Sequence, residues 1–362
     1  MNRMQAPLAF AAALIAAPAA MAQSSVTLAG VADAGVRQVS NQGVASNKSM
    51  VSGANATSRI IIRGTEDIGG GLSAGFHLEH GLNLTNGTQA SSTVGQFWER
   101  RATVSLASKS VGELRAGRDF VPSYSNWSPF DPFSYVGAAG ANNLVSATPQ
   151  GPIRAAFGTS PNTTVRANDA LQWLVPGGLG GLEGGLMLAP RGGGTVADGR
   201  NKVIGLRLGW AAGPARITAA TTSTQNNLTT LGKFKDHALA GAYDFGLVRV
   251  TAGWRRFEYA AAEQTNVLVG ATLPVGASGL VKLSWGKADF DGAVGATNIS
   301  ANGASQIGLG YVHNLSKRTA LYTTVSRLDN DGALTLAVPG GTAGMAAGGT
   351  SKAFEAGIRH NF

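Results

Sequence analysis

Short and long connections alternate along this chain from residue 23 to Phe362, and that rhythm restricts the fold more than any other feature. Between the connections lie segments of roughly ten residues, apolar at every second position, the length of a tilted membrane-crossing strand. Short turns are expected at Glu66–Gly71, Ser108–Gly112, Pro176–Gly181, Ala212–Pro214, Asp244–Gly246, Pro274–Gly279 and Asn314–Lys317. Long polar connections are expected at Gln38–Ala56, Thr85–Gly95, Phe120–Thr163, Arg191–Asn201, Gln225–Lys233, Tyr259–Gln264, Ala288–Gly303 and Asn330–Ser351. Seven short and eight long joints make sixteen strands, with both chain ends on the short-turn side. This predicts an all-β fold, a 16-stranded antiparallel transmembrane β-barrel of the up-and-down kind.

The first 22 residues stand apart. Arg3 precedes an apolar run, Leu8 to Ala20, that is too short to span a bilayer, and Ala20-Met21-Ala22 is an A-x-A cleavage site. A signal peptide over residues 1–22 and a barrel over 23–362 are expected. Past residue 22 no eighteen consecutive residues are apolar, which excludes membrane-spanning helices. Cysteine is absent, so disulfides, cysteine metal sites and thiol nucleophiles are excluded. Charged residues are 14%, well below the quarter or so of a soluble domain.

Alternation sorts each strand into two faces. Ile204, Leu206, Leu208 and Trp210 oppose Gly205, Arg207 and Gly209; Val248, Val250, Ala252 and Trp254 oppose Arg249, Thr251, Gly253 and Arg255. Sixteen strands enclose a lumen too wide for side chains to fill, so the apolar face meets lipid and the polar, Gly-rich face meets water. Trp173, Trp210, Trp254 and Trp285 fall on apolar faces. Arg59, Arg63, Arg166, Arg207, Arg249, Arg255 and Lys282 fall on inward ones. At Arg100-Arg101 alternation favours Arg101, which lies beside Thr103 and Ser105. Asp169 lands on an apolar face, which calls for a rim position or a bulge.

Several runs resemble the general porins of beta-proteobacteria, and together they cover essentially the whole chain after residue 22. They are Ser24-Ser25-Val26-Thr27-Leu28-Ala29-Gly30, Ser58-Arg59-Ile60-Ile61-Ile62-Arg63-Gly64-Thr65-Glu66-Asp67, Arg100-Arg101-Ala102-Thr103-Val104-Ser105-Leu106, Gly112-Glu113-Leu114-Arg115-Ala116-Gly117-Arg118, Tyr311-Val312-His313-Asn314-Leu315-Ser316-Lys317 and the ending Gly357-Ile358-Arg359-His360-Asn361-Phe362. The resemblance implies a homotrimer in the Gram-negative outer membrane, each barrel passing small hydrophilic solutes by passive diffusion. It also implies a long third loop, about residues 120–163, folded into the lumen. The aromatics of that loop (Phe120, Tyr124, Trp127, Phe130, Phe133, Tyr135) support burial independently.

By motif, Arg59, Arg100 and Arg166 correspond to the basic residues at the narrowest point of anion-selective relatives. Arg101, Arg63 and Arg118 are further candidates, with Asp131 and Glu79 as acidic counterparts and small anions as the expected solutes. An alternative is a substrate-specific channel with a solute-binding constriction. Phe362 matches the terminal aromatic read by the barrel-assembly machinery. Lipopolysaccharide and outer-membrane lipid are the other expected partners. No enzyme, cofactor or metal site is expected, since the five His are scattered over distant strands. No basic run with interleaved aromatics suggests nucleic acid.

Overall fold

The computed structural model describes residues 25–90, 96–145, 151–159, 164–190 and 201–362; the expected signal peptide and its cleavage site lie outside them. Sixteen antiparallel strands form one closed ring. They are β1 (Ser25–Asn41), β2 (Arg59–Gly69), β3 (Leu72–Gly81), β4 (Arg101–Ser108), β5 (Gly112–Phe120), β6 (Arg166–Leu174), β7 (Leu182–Ala189) and β8 (Lys202–Ala212), followed by β9 (Ala215–Gln225), β10 (Phe234–Asp244), β11 (Arg249–Tyr259), β12 (Ala262–Val275), β13 (Gly279–Val294), β14 (Gly303–Asn314), β15 (Thr319–Asp331) and β16 (Thr350–Asn361). Two short strands in the long connections, Asn47–Ser52 and Thr297–Asn298, pair back on β1 and on the end of β13. No helix among the described residues is long and apolar enough to cross a membrane; the crossing is by strands.

Closure uses both halves of β1. Ser25–Val31 pair with β2 and Val31–Asn41 with β16. The terminal residue completes the seam: Gly30 N–H donates to the Phe362 carbonyl at 2.9 Å, and Phe362 N–H donates back at 3.1 Å. A Cβ on Gly30 would overlap Phe362 Cζ, so the ring can lie over β1 only because residue 30 has no side chain. Gly30→Val is therefore expected to cost about 1–3 kcal/mol by overpacking. It should lower the temperature at which the folded barrel unfolds on unboiled gels, whereas Gly177→Ala, with open space around it, should not.

The outer surface carries the exposed apolar set, including Leu206, Leu208, Trp210, Trp254, Trp285 and Leu309. The seven short turns lie where the sequence places them. One long connection does not. Between Tyr259 and Ala262 the chain turns in two residues, Ala260 taking a left-handed φ of 52°. Glu258 pairs in register with Glu263, so these polar residues belong to strands that run past the apolar band. Their polarity reflects contact with water, not loop conformation.

Among its described residues the third long connection holds two short helices, α1 (Pro122–Trp127) and α2 (Pro152–Phe157), and two 3-10 turns, Ser128–Phe130 and Ala141–Leu144. Its described residues lie against inward-facing wall groups. Ser123 Oγ donates to Asp236 at 2.6 Å, Ala138 N–H to Glu355 at 3.0 Å, and Asn143 Nδ2 to Gln306 at 3.0 Å. Inward glycines make the room. A Cβ on Gly253 would meet Trp127 at 2.7 Å, one on Gly310 would meet Phe133 at 2.7 Å, and one on Gly270 would overlap the Pro132 ring. Trp127, Tyr135, Ile153 and Phe157 bury themselves with Phe234, Phe257 and Leu268 of the wall. Packing of this kind gives the segment a fixed position, because close-packed aromatics have no alternative seat of equal density.

Candidate functional site

Arg59 at the start of β2, Arg100 just ahead of β4 and Arg166 at the start of β6 converge on one cavity of about 390 Å³. The third connection supplies the facing wall through Tyr124, Ser134, Tyr135, Val136 and Asn142. No carboxylate is among its lining residues. The guanidiniums are held by backbone oxygens as well as by charge. Arg59 Nη1 donates to the Thr57 carbonyl at 2.9 Å. Arg166 Nε donates to the Arg100 carbonyl at 2.8 Å, with its guanidinium carbon 4.7 Å from the centre of the Phe120 ring.

Glu79, projecting inward from β3, is the shared counter-charge. Its Oε1 accepts from Arg100 Nε at 2.5 Å and lies 3.4 Å from Arg59 Nε; Oε2 lies 3.4 Å from His77 Nε2. Glu79 is buried behind the arginines, so their outer edges face the cavity while the carboxylate does not line it. Two arginines thus share one carboxylate, and the local field stays positive.

The other candidates fall elsewhere. Arg101 points inward from β4 but is tied to Asp119, Nη2 to Oδ2 2.8 Å, and Arg115 binds the same carboxylate at 2.8 Å. Both arginines, with Arg207, line a smaller cavity of about 180 Å³. Arg63 is exposed, four residues nearer the short-turn end of β2 than Arg59. Arg118 sits where the β5–β6 register shifts. It donates to the Glu99 carbonyl at 2.7 Å and to Asn168 Oδ1 at 2.5 Å, and it does not line the large cavity. Opposite it, Asp169 has a φ of 52° where a three-residue step of β6 faces a two-residue step of β5, so of the two alternatives, rim position or bulge, the structure has the bulge.

Asp131 is a staple within the third connection. Its carboxylate accepts from the N–H groups of Phe133 (2.9 Å), Tyr135 (2.9 Å) and Ala141 (2.8 Å). Burial pushes its carboxyl pKa up, against those three donors and Lys282, which favour the charged form. Asp131 therefore shapes the loop that faces the arginines and does not itself line the cavity.

Sequence reasoning missed two groups. Asp119 on β5 neutralises Arg101 and Arg115, and Glu99, just ahead of β4, orients Arg118 through its backbone carbonyl; nothing in their local pattern singles them out. The buried Arg255–Asp236 pair, 2.7 Å apart, clamps the loop through Ser123 and the Thr164 carbonyl. Alternation places Arg255 inward, but its task as an anchor depends on a loop segment more than ninety residues away.

The chain resembles known outer-membrane porins along almost its whole length. The family model described as Gram-negative porin matches residues 9–333. Outer membrane porin protein 32 of Delftia acidovorans is 34% identical, over 99% of this chain and 100% of the relative. An outer membrane porin protein of Bordetella pertussis is 28% identical, over 97% and 98%. Among solved structures, an anion-selective porin from Comamonas acidovorans superposes with a TM-score of 0.77 at 31% identity, covering 94% of this chain and 100% of that one.

Proposed function

This chain belongs to the Gram-negative porin family, an outer-membrane channel for passive diffusion of small hydrophilic solutes, and we propose that the Arg59–Arg100–Arg166 cavity makes it prefer anions. The observation that carries the reading is three guanidiniums on one cavity whose lining holds no carboxylate. A narrow aqueous path between low-dielectric walls focuses the field of such fixed charges. Rings of Arg favour anions for that reason. Because carbonyls and Glu79 already orient the arginines, a passing anion meets them without first ordering flexible side chains. The name of the Comamonas relative supports the same preference.

The test is the reversal potential of the purified protein in a planar bilayer under a KCl gradient. An anion-selective sign is expected; a zero or cation-selective potential overturns the proposal. Conductance that saturates with one solute would instead favour a substrate-specific channel. The reading extends to a homotrimer inserted by the barrel-assembly machinery through the terminal Phe362, whose ring is 43% exposed beside β1. Cross-linking in native outer membranes should then give a three-chain product, and deleting Phe362 should leave the chain unassembled.

A further inference from the structure

The loop wall that faces the three arginines is aromatic as well as polar. Phe120 and Tyr124 stack with ring centres 5.0 Å apart and planes 28° apart, and Tyr135 meets Tyr124 edge-on at 5.3 Å. The Arg166 guanidinium lies over one end of this strip, on Phe120. Tyr124 stands in its middle, half-buried, and lines the cavity together with Tyr135, Val136 and Val165. Attraction of anions needs only the guanidiniums, whose field acts on every anion of equal charge alike. An aromatic ring and two valines add a surface that only an anion with an apolar body can use. The cavity, about 390 Å³, has the size of a small-molecule site. The cations also suit a carboxylate. Arg100 meets Glu79 through Nε, and its end-on pair of Nη groups, a fork of the kind that binds carboxylates bidentately, takes no part in that contact.

We propose that the cavity is a dwelling site for aromatic monocarboxylates, with the carboxylate on Arg59 and Arg100 and the ring against Tyr124. The site rests on the anion preference of the Arg59–Arg100–Arg166 cavity and names the class of anion held there longest. An aromatic ring beside Tyr124 gains offset or edge-to-face contact beyond the area it buries, and guanidinium planes stack on such a ring as well. A saturated ring of the same size shares the charge and the burial but neither of these contacts. Chloride and acetate bring little more than charge, so they pass without dwelling, and the path stays open to them when the site is empty. Tyr124 is thus a specificity-determining residue, and the arginines set the sign of the charge admitted.

The test is the reversible reduction of KCl current through the full barrel in a planar bilayer by benzoate, cyclohexanecarboxylate or acetate. In the wild type, benzoate should halve the current at a concentration about three- to tenfold below that of cyclohexanecarboxylate, with acetate the weakest. Tyr124→Phe should keep this ratio and Tyr124→Leu should bring it close to one. The ratio is taken within each protein, so a change of open conductance on substitution does not enter it. Equal potency of benzoate and cyclohexanecarboxylate in the wild type overturns the proposal without recourse to any variant, as does a ratio that Tyr124→Leu retains. The reversal potential under a KCl gradient, measured in the same membranes, reads the anion preference separately. An anion-selective potential with equal potencies faults the aromatic site alone. A zero or cation-selective potential faults the anion preference, and the site with it.

Discussion

Replacing Arg59, Arg100 and Arg166 together by glutamine is expected to reverse the sign of the potential under a KCl gradient, from anion-selective to cation-selective. Removing three cations leaves Glu79 beside the cavity without either arginine partner, keeping its 3.4 Å contact to His77. At about 4 Å a unit charge interacts with a passing ion by about 1 kcal/mol in bulk water and about 4 kcal/mol at an effective dielectric constant of 20. Since each 1.4 kcal/mol or so is a factor of ten, a single neutralisation should change the anion-to-cation permeability ratio several-fold. Arg100→Gln should have the largest single effect, because Arg100 makes the 2.5 Å contact to Glu79 and its loss unmasks that carboxylate as well as removing a cation. Arg59→Gln should be milder, its contact to Glu79 being 3.4 Å. Arg101→Gln is the informative contrast. Asp119 keeps a second partner in Arg115, so the potential should hardly move. Equal shifts for Arg100→Gln and Arg101→Gln would mean that the cavity does not set selectivity.

The alternation of Leu206, Leu208 and Trp210 against Gly205, Arg207 and Gly209 made the barrel legible, because the strand period is two and one face must meet lipid. Phase alone ranked Arg101 above Arg100, although it is Arg100 that lines the cavity. Arg100 precedes β4, where strand phase no longer governs direction, and Arg166 reaches the same cavity through its bond to the Arg100 carbonyl. The motif held the information that the periodicity lacked. Arg118 shows the reverse limit, since the register shift at Gly117 and Asp119 changes the phase just where it sits. The inward glycines were readable as a polar, spacious wall, yet Gly253, Gly270 and Gly310 are sockets for Trp127, Pro132 and Phe133. Which loop residue fills which socket is a long-range contact, and no local pattern encodes it.

Those sockets and the Arg255–Asp236 clamp lead to the second large effect. Arg255 is fully buried, its Nε and Nη2 donating to Asp236 at 2.9 and 2.7 Å and Nη2 also to the Thr164 carbonyl at 3.2 Å. Asp236 in turn accepts from Ser123 at the start of α1. Breaking such a pair from one side leaves a buried charge uncompensated, a cost of about 3–5 kcal/mol. The barrel has another way to relieve it. The loop can leave its seat and admit water to Asp236, while the strand ladder stays closed. Arg255→Met should therefore raise single-channel conductance and expose the 120–163 segment to protease, with the strands still resistant. Anion preference should fall too, since Tyr124, Ser134, Tyr135 and Asn142 no longer narrow the path past the arginines. Gly253→Leu attacks the same seat through the Trp127 socket without touching any charge, and it should give the same widening. If Arg255→Met unfolds the barrel while Gly253→Leu leaves conductance unchanged, the clamp supports the wall and the loop is held by other contacts.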